Sequence, residues 1–387
     1  MKPAPFKTAL GGMIALAAAM GIGRFVYTPI LPYMTDALSL TKSDAGLIAA
    51  ANYLGYLIGA LAGATGLLSG NRRSWMLWTI AASALTTASM AATGSPYMFM
   101  LLRFCGGLAS SLMMVFSSTL IFERLANAGR SDLTYVHFAG VGAGISGSAV
   151  LVAWLGASGI GWSGQWIATG ALAFAGLAAI AFLIPPADGD SPTVATAGGT
   201  RIDRRIYPLA TAYGLFGFGY VVTTTFISAI VRQTPAISYI EPYVWVVVGL
   251  AALPSVALWA WVGRRIGNPA SFALACLTEA AGVAATVLFT DPAIVLTGAA
   301  LTGGTFVGIT AVGLFTARDL ALGSGADPRR VIALMTGAFG LGQMIGPAFA
   351  GYVAEFTGTF TAPTLVAALT LVIAAVLGMM ARDRKMS

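Results

Sequence analysis

Long apolar runs recur along almost the whole chain, and they set what it can fold into. Twelve can be read, at residues 8–32, 45–68, 75–93, 97–122, 133–155, 166–184, 206–231, 242–262, 270–290, 293–317, 331–354 and 361–380. A bilayer core roughly 30 Å thick needs about 20 apolar residues per helix, and most of the runs reach that length. They are continuous and rich in Ala, Leu and Gly, without the alternating segments of a membrane β-barrel. Charged residues make up 9% of the chain and hydrophobic ones 57%, whereas a soluble domain carries about 25% charged residues. The expected fold is an all-α integral membrane protein with twelve transmembrane helices. Lys2, Lys7 and an Ala-x-Ala triplet give the first run a superficial likeness to a signal peptide. It continues well past the short apolar region of such a signal, so it is expected to remain in the protein. Cys105 and Cys276 both fall inside runs, which implies no disulfide framework.

Of the 21 Lys and Arg, 17 fall in the termini and in loops on the same side as the termini. Two, Lys42 and Arg232, fall on the other side, and Arg24 and Arg103 lie inside runs. Basic loops stay in the cytoplasm, so a multi-pass protein of the cell inner membrane with both termini cytoplasmic is expected. The net charge of +7 reflects that asymmetry, and no basic and aromatic stretch suits nucleic-acid binding.

The polar segment PPADGDSPTVATAGGTRIDRR, residues 185–205, has the composition of a linker. It separates an expected six-helix bundle at 1–184 from a second at 206–387. The halves resemble each other. MGIGRFVYTPIL (20–31) aligns with FGFGYVVTTTFI (216–227) at an offset of 196, and RFCGGLASS (103–111) with ALTGGTFVG (300–308) at an offset of 197. The pair Arg72-Arg73 after the second run recurs as Arg264-Arg265 after the eighth. An even number of spans per half makes this a parallel repeat, which puts a substrate site midway between the halves.

Twelve spans in two sixes, with RFCGGLASS at the start of span 4 and GQMIGPAFAG (342–351) in span 11, resemble the major facilitator superfamily of secondary transporters. GIGRFVYTPILP and ANYLGYLIGAL (51–61) are similar, more narrowly, to its YbfB/YjiJ branch. The resemblance implies pseudo-two-fold symmetry and a central cavity lined by spans 1, 4, 7 and 10. It also implies a seam of spans 2 with 11 and 5 with 8. Two departures stand out. The loop GLLSGNRRS (66–74) keeps the basic pair and lacks the family's aspartate, and span 5 reads GVGAGISG (140–147) without the proline of a drug/proton antiporter.

Small residues recur every four positions at Gly55/Gly59/Gly63, Gly140/Gly144/Ser148 and Ala338/Gly342/Gly346/Ala350, and such stripes let helices approach closely. On the resemblance, they are expected along the seam between halves. Arg24, Asn52 and Arg103 count to similar depths, about 9–12 Å inside their spans at 1.5 Å per residue. A charge in mid-bilayer faces a cavity or a partner, and no acid in spans 1–6 lies at that depth. The candidate substrate site is therefore Arg24, Tyr27, Asn52, Arg103, Tyr220, Thr224 and Gln343, with a carboxylate suited to the guanidinium fork. Arg103 has an alternative role as a cap on backbone carbonyls. Gly21 and Gly23 would leave room beside Arg24, and Pro29 would free the carbonyl of Phe25. Glu279 is a candidate for proton coupling or for a structural hydrogen bond. His137 reads as a packing residue.

No nucleotide-binding motif, metal-spaced cluster or catalytic triad is present, so no cofactor and no enzyme activity are expected. The reading is a secondary transporter, expected to act as a monomer in the lipid bilayer, moving a small anionic or amphipathic solute by alternating access, with protons as a candidate coupling ion. Efflux of lipophilic drugs in exchange for protons is the alternative, and a non-transporting membrane sensor a third.

Overall fold

The computed structural model describes residues 5–382, apart from 65–67, 69 and 187–202. The interior of the linker and part of the 66–74 loop thus lie outside the described residues. The helices are α1 (Pro5–Leu38), α2 (Lys42–Ala64), α3 (Arg72–Ser89), α4 (Pro96–Asn127), α5 (Thr134–Ala157) and α6 (Trp162–Leu183) in the first half. The second half holds α7 (Ile206–Arg232), α8 in two pieces (Glu241–Ala252 and Ser255–Ile266), α9 (Asn268–Leu288), α10 (Pro292–Ser324), α11 (Pro328–Thr357) and α12 (Thr361–Met379). Ten are long and apolar enough to cross a membrane, and α8 makes an eleventh if its pieces, bent by 45°, form one span. The twelfth expected span, α3, is an 18-residue helix whose first turn holds Arg72, Arg73 and Ser74. Those residues dilute its apolar character.

Local chemistry sets the helix ends. Asn71, Asp291 and Asp327 accept hydrogen bonds from the first-turn amides of α3, α10 and α11, the usual way to satisfy those orphan donors. Prolines open α4, α10 and α11, where the missing N–H costs nothing. Exposure runs opposite to a soluble protein. Trp78, Phe182, Phe356 and Val376 are more than 60% exposed, while Arg24, Arg103, Glu279 and Gln343 are buried. A hydrocarbon solvent suits that arrangement.

The halves meet where α2 packs on α11, α5 on α8 and α1 on α7. Polar contacts between them concentrate at the end away from the termini. Thr28 Oγ1 donates to the Thr224 carbonyl at 2.6 Å, Arg232 pairs with Asp36 at 2.6 Å, and the Lys42 amide donates to Glu355 at 2.7 Å. At the terminal end, Arg264 donates to the Tyr135 hydroxyl at 3.3 Å.

The four-residue stripes do not lie on this seam. Gly55, Gly59 and Gly63 face α4, Gly140 and Gly144 face α1, and Gly342 and Gly346 face α7, so each stripe closes a contact inside one half. The seam uses the intervening positions. Gly46 lies against Pro347 and Gly351, Gly340 against Leu57, and Gly142 against Gly249 and Leu253. A helix has several faces, and sequence spacing identifies a stripe without naming its partner.

Gly21 packs directly on the Gly144 backbone, whereas Gly147 has nothing within 4 Å of where a Cβ would stand. Gly21→Val is expected to lower the thermal midpoint of the detergent-solubilised protein, an overpacking cost of about 1–3 kcal/mol. Gly147→Val is expected to leave it unchanged.

Candidate functional site

The site forms where α1 breaks. Its first part, Pro5–Leu16, runs into a π-helical turn at Ala17–Ile22, and regular α-helix resumes only at Tyr27. Through the break the amides reach unusual partners. Gly23 N bonds Ala18 O and Phe25 N bonds Met20 O, each five residues back, while Thr28 N bonds Phe25 O, three back. Pro29 offers no N–H. The carbonyl expected to be freed, that of Phe25, is thus taken by Thr28.

Arg103 of α4 satisfies the carbonyls just before it. Its Nη1 donates to Gly23 O at 2.9 Å and its Nη2 to Arg24 O at 2.7 Å. Asn52 Nδ2 of α2 in turn donates to the Arg103 carbonyl at 2.8 Å, and Tyr27 OH to Ala45 O at 3.0 Å. The three residues counted to equal depth, Arg24, Asn52 and Arg103, do meet. Two of them are engaged with backbone.

Arg24 is different. It is 3% exposed, and its guanidinium carbon lies 4.0 Å from the Tyr56 ring centre, 4.7 Å from Tyr53 and 5.3 Å from Phe25. Among the described residues it forms no ion pair, and its Nε and Nη2 have no hydrogen-bond partner. Cation–π contact contributes about 2 kcal/mol when desolvated. An uncompensated charge in mid-bilayer costs about 2.5 kcal/mol at the least and over 10 by other estimates. The aromatic cage alone therefore leaves Arg24 short of a partner.

Gly21 and Gly23 do not leave space beside Arg24. A Cβ on Gly21 would meet the Gly144 backbone, and one on Gly23 would meet Ser83 Oγ and Ala19 O. The glycines bring α5 and α3 close to the break.

The second half faces this cluster with aromatic rings. Tyr220 of α7 stacks parallel to Phe306 of α10, with centroids 5.6 Å apart, and to Phe339 of α11 at 5.9 Å. Its hydroxyl accepts from Gln343 Nε2. Phe25 joins the halves, with its ring edge-on to Phe306 at 5.8 Å and 6.5 Å from Trp245. Trp245 Nε1, Gln343 Oε1 and Asn52 Oδ1 are buried without partners among the described residues. Thr224 sits at the α1–α7 join, where its hydroxyl bonds the Tyr220 carbonyl at 3.1 Å and its carbonyl accepts from Thr28. The sequence reading missed Phe25, Tyr53, Tyr56, Trp245, Phe306 and Phe339. Only Tyr56 carried a signal, one turn beyond Asn52 and so on the same helix face.

Glu279 lies elsewhere. It is fully buried on α9, both carboxylate oxygens lack partners among the described residues, and α9 packs on α7, α8, α10 and α12. His137 is buried against Phe122 and Phe138, with Nε2 3.4 Å from Ser118 Oγ.

A family model described as the uncharacterised MFS-type transporter YbfB matches residues 16–379. The chain belongs to this family of the major facilitator superfamily. No curated protein matches it. Among solved structures, a point-mutant form of the nucleoside transporter NupG is similar in fold, with a TM-score of 0.78 and 15% identity over 97% of this chain and 100% of that one. A second NupG structure gives 0.71 and 15% over 98% and 99%. The fold is therefore that of a major facilitator transporter.

The two arginines predict opposite outcomes. Arg103→Gln strips the donors from two buried carbonyls and is expected to lower stability by about 3 kcal/mol. Arg24→Gln removes a charge that has no ion-pair partner among the described residues and is expected to leave the melting temperature equal or higher. Melts of both variants in one detergent check this.

Proposed function

We propose that the chain is a secondary transporter that moves a small anionic or amphipathic solute by alternating access, with Arg24 as the anchor for the anion. The reading rests on one observation above the rest: a guanidinium 3% exposed, in a cage of aromatic rings, with two N–H-bearing nitrogens lacking partners. A carboxylate matches the guanidinium in charge and in hydrogen-bond geometry. The surrounding rings and the unpartnered atoms of Trp245, Gln343 and Asn52 would hold an apolar or planar body. Tyr27, Arg103, Tyr220 and Thr224 then act mainly by shaping the site.

The reading has the two bundles, 1–184 and 206–387, rocking about the α2–α11 and α5–α8 contacts in the cell inner membrane. The 17-to-2 distribution of basic residues supports cytoplasmic termini. The working unit is taken to be a monomer, and Glu279 the candidate proton carrier. If it is, accumulation driven by an imposed pH gradient is lost in Glu279→Gln. Retained accumulation removes it from that role.

A nucleoside is the second reading. The NupG structures suggest it, and so does the stack of Tyr220, Phe306 and Phe339. The two readings separate on charge. In thermal-shift titrations of the purified protein, small aromatic and aliphatic carboxylates are expected to stabilise it, and Arg24→Gln to abolish that shift. Stabilisation by uncharged nucleosides that survives Arg24→Gln would replace the anion reading with the nucleoside one. For the preferred solute, reconstituted uptake is expected to fall at least tenfold in Arg24→Gln, the equivalent of about 1.4 kcal/mol.

A further inference from the structure

The two basic pairs of the repeat have different surroundings. In the first half the pair is consumed internally. Arg72 pairs with Glu123 near the end of α4 at 2.5 Å, and Arg73 donates to the Ile184 and Ala181 carbonyls at the end of α6. Counted from the prolines that open α4 and α10, Pro96 and Pro292, the position of Glu123 corresponds to Asp319. The second half therefore holds the same parts: Arg264 and Arg265, Asp319 near the end of α10, and the end of α12.

In the second half those parts do not close on one another. They line a cavity of about 860 Å³ that also takes in Arg205 and Arg382. Asp319 is turned to Asn268 Nδ2 at 3.0 Å, and Arg205 is paired with Asp203 at 2.8 Å. Among the described residues, Arg264, Arg265 and Arg382 form no ion pair with a carboxylate. With Arg205 neutralised by Asp203, the three remaining arginines against Asp319 leave the cavity positive. Its depth in the membrane is marked by Trp261, half exposed one turn inside Arg265, with that guanidinium 5.4 Å from its ring centre. Exposed tryptophans sit at the headgroup level, so the cavity opens where lipid phosphates lie.

We propose that this cavity binds the phosphate of an anionic phospholipid headgroup, which replaces the internal carboxylate that the equivalent pair engages in the first half. Basic pockets between helices at this interface recognise such headgroups, and each arginine near the surface adds to the attraction. The site is separate from the break in α1 and independent of what the protein transports.

The test uses the full chain in a zwitterionic detergent, titrated with phosphatidylglycerol, phosphatidylcholine or inorganic phosphate, with bound lipid counted by native mass spectrometry. Phosphatidylglycerol is expected to bind at least tenfold more tightly than phosphatidylcholine. That preference is expected to vanish in Arg264→Gln/Arg265→Gln/Arg382→Gln and to persist in Arg264→Lys/Arg265→Lys, which keeps the charge. It should also persist in Arg329→Gln/Arg330→Gln, a basic pair at the same end outside the cavity. Equal loss in the Arg329/Arg330 variant means diffuse attraction and overturns the proposal. So does an unchanged preference in the triple variant. Competition by inorganic phosphate at concentrations matching the lipid overturns the lipid as the source of the phosphate.

Discussion

Inside a bilayer no water waits to solvate a carbonyl that leaves its helix, so every break in a helix must be matched by a donor from elsewhere. Arg103 is that donor for Gly23 and Arg24, and much of the first half is arranged around it. The π-helical turn and Pro29 release the backbone, α4 brings the guanidinium, and Asn52 of α2 holds the carbonyl of Arg103 itself. Three helices are thus tied at one depth by hydrogen bonds that lipid cannot offer. At the same break Arg24 lies among the rings of Phe25 and of Tyr53 and Tyr56 on α2. One arginine supports the backbone, and that support leaves the other one unspent.

Much of the fold was legible in the sequence because the bilayer imposes a length on every helix and a charge bias on every loop. Most helices end within a few residues of the apolar runs, while α1 and α10 run on to Leu38 and Ser324. Helix α3 is the weakest, since Arg72 and Arg73 occupy its first turn. The site was legible only in part. A charged residue in an apolar run announces itself, so Arg24 and Arg103 could be singled out. Their difference could not, because it depends on which backbone carbonyls fall within reach of a side chain 80 residues away. Rings such as Phe306 and Trp245 carry no signal in a chain with 20 Phe and 8 Trp.

The glycine stripes teach a similar lesson about packing. A four-residue period tells which residues share a face, and all three stripes are indeed faces of close approach. They bind helices within a half, while the seam between halves uses positions two or so residues away, such as Gly142 and Gly340. The join also has close backbone approaches, at Gly46 and Gly142, and its polar contacts gather at one end.

Two of those end contacts, Thr28 with Thr224 and Asp36 with Arg232, each join residues separated by 196 positions, the spacing of the repeat itself. Each therefore pairs a position with its own counterpart across the symmetry axis. Had the two halves been separate identical subunits, residue 36 would have faced another copy of itself, with like charge against like. Fusing the halves into one chain lets the two copies diverge at the axis. A complementary ion pair there is open to a duplicated gene and closed to a homodimer.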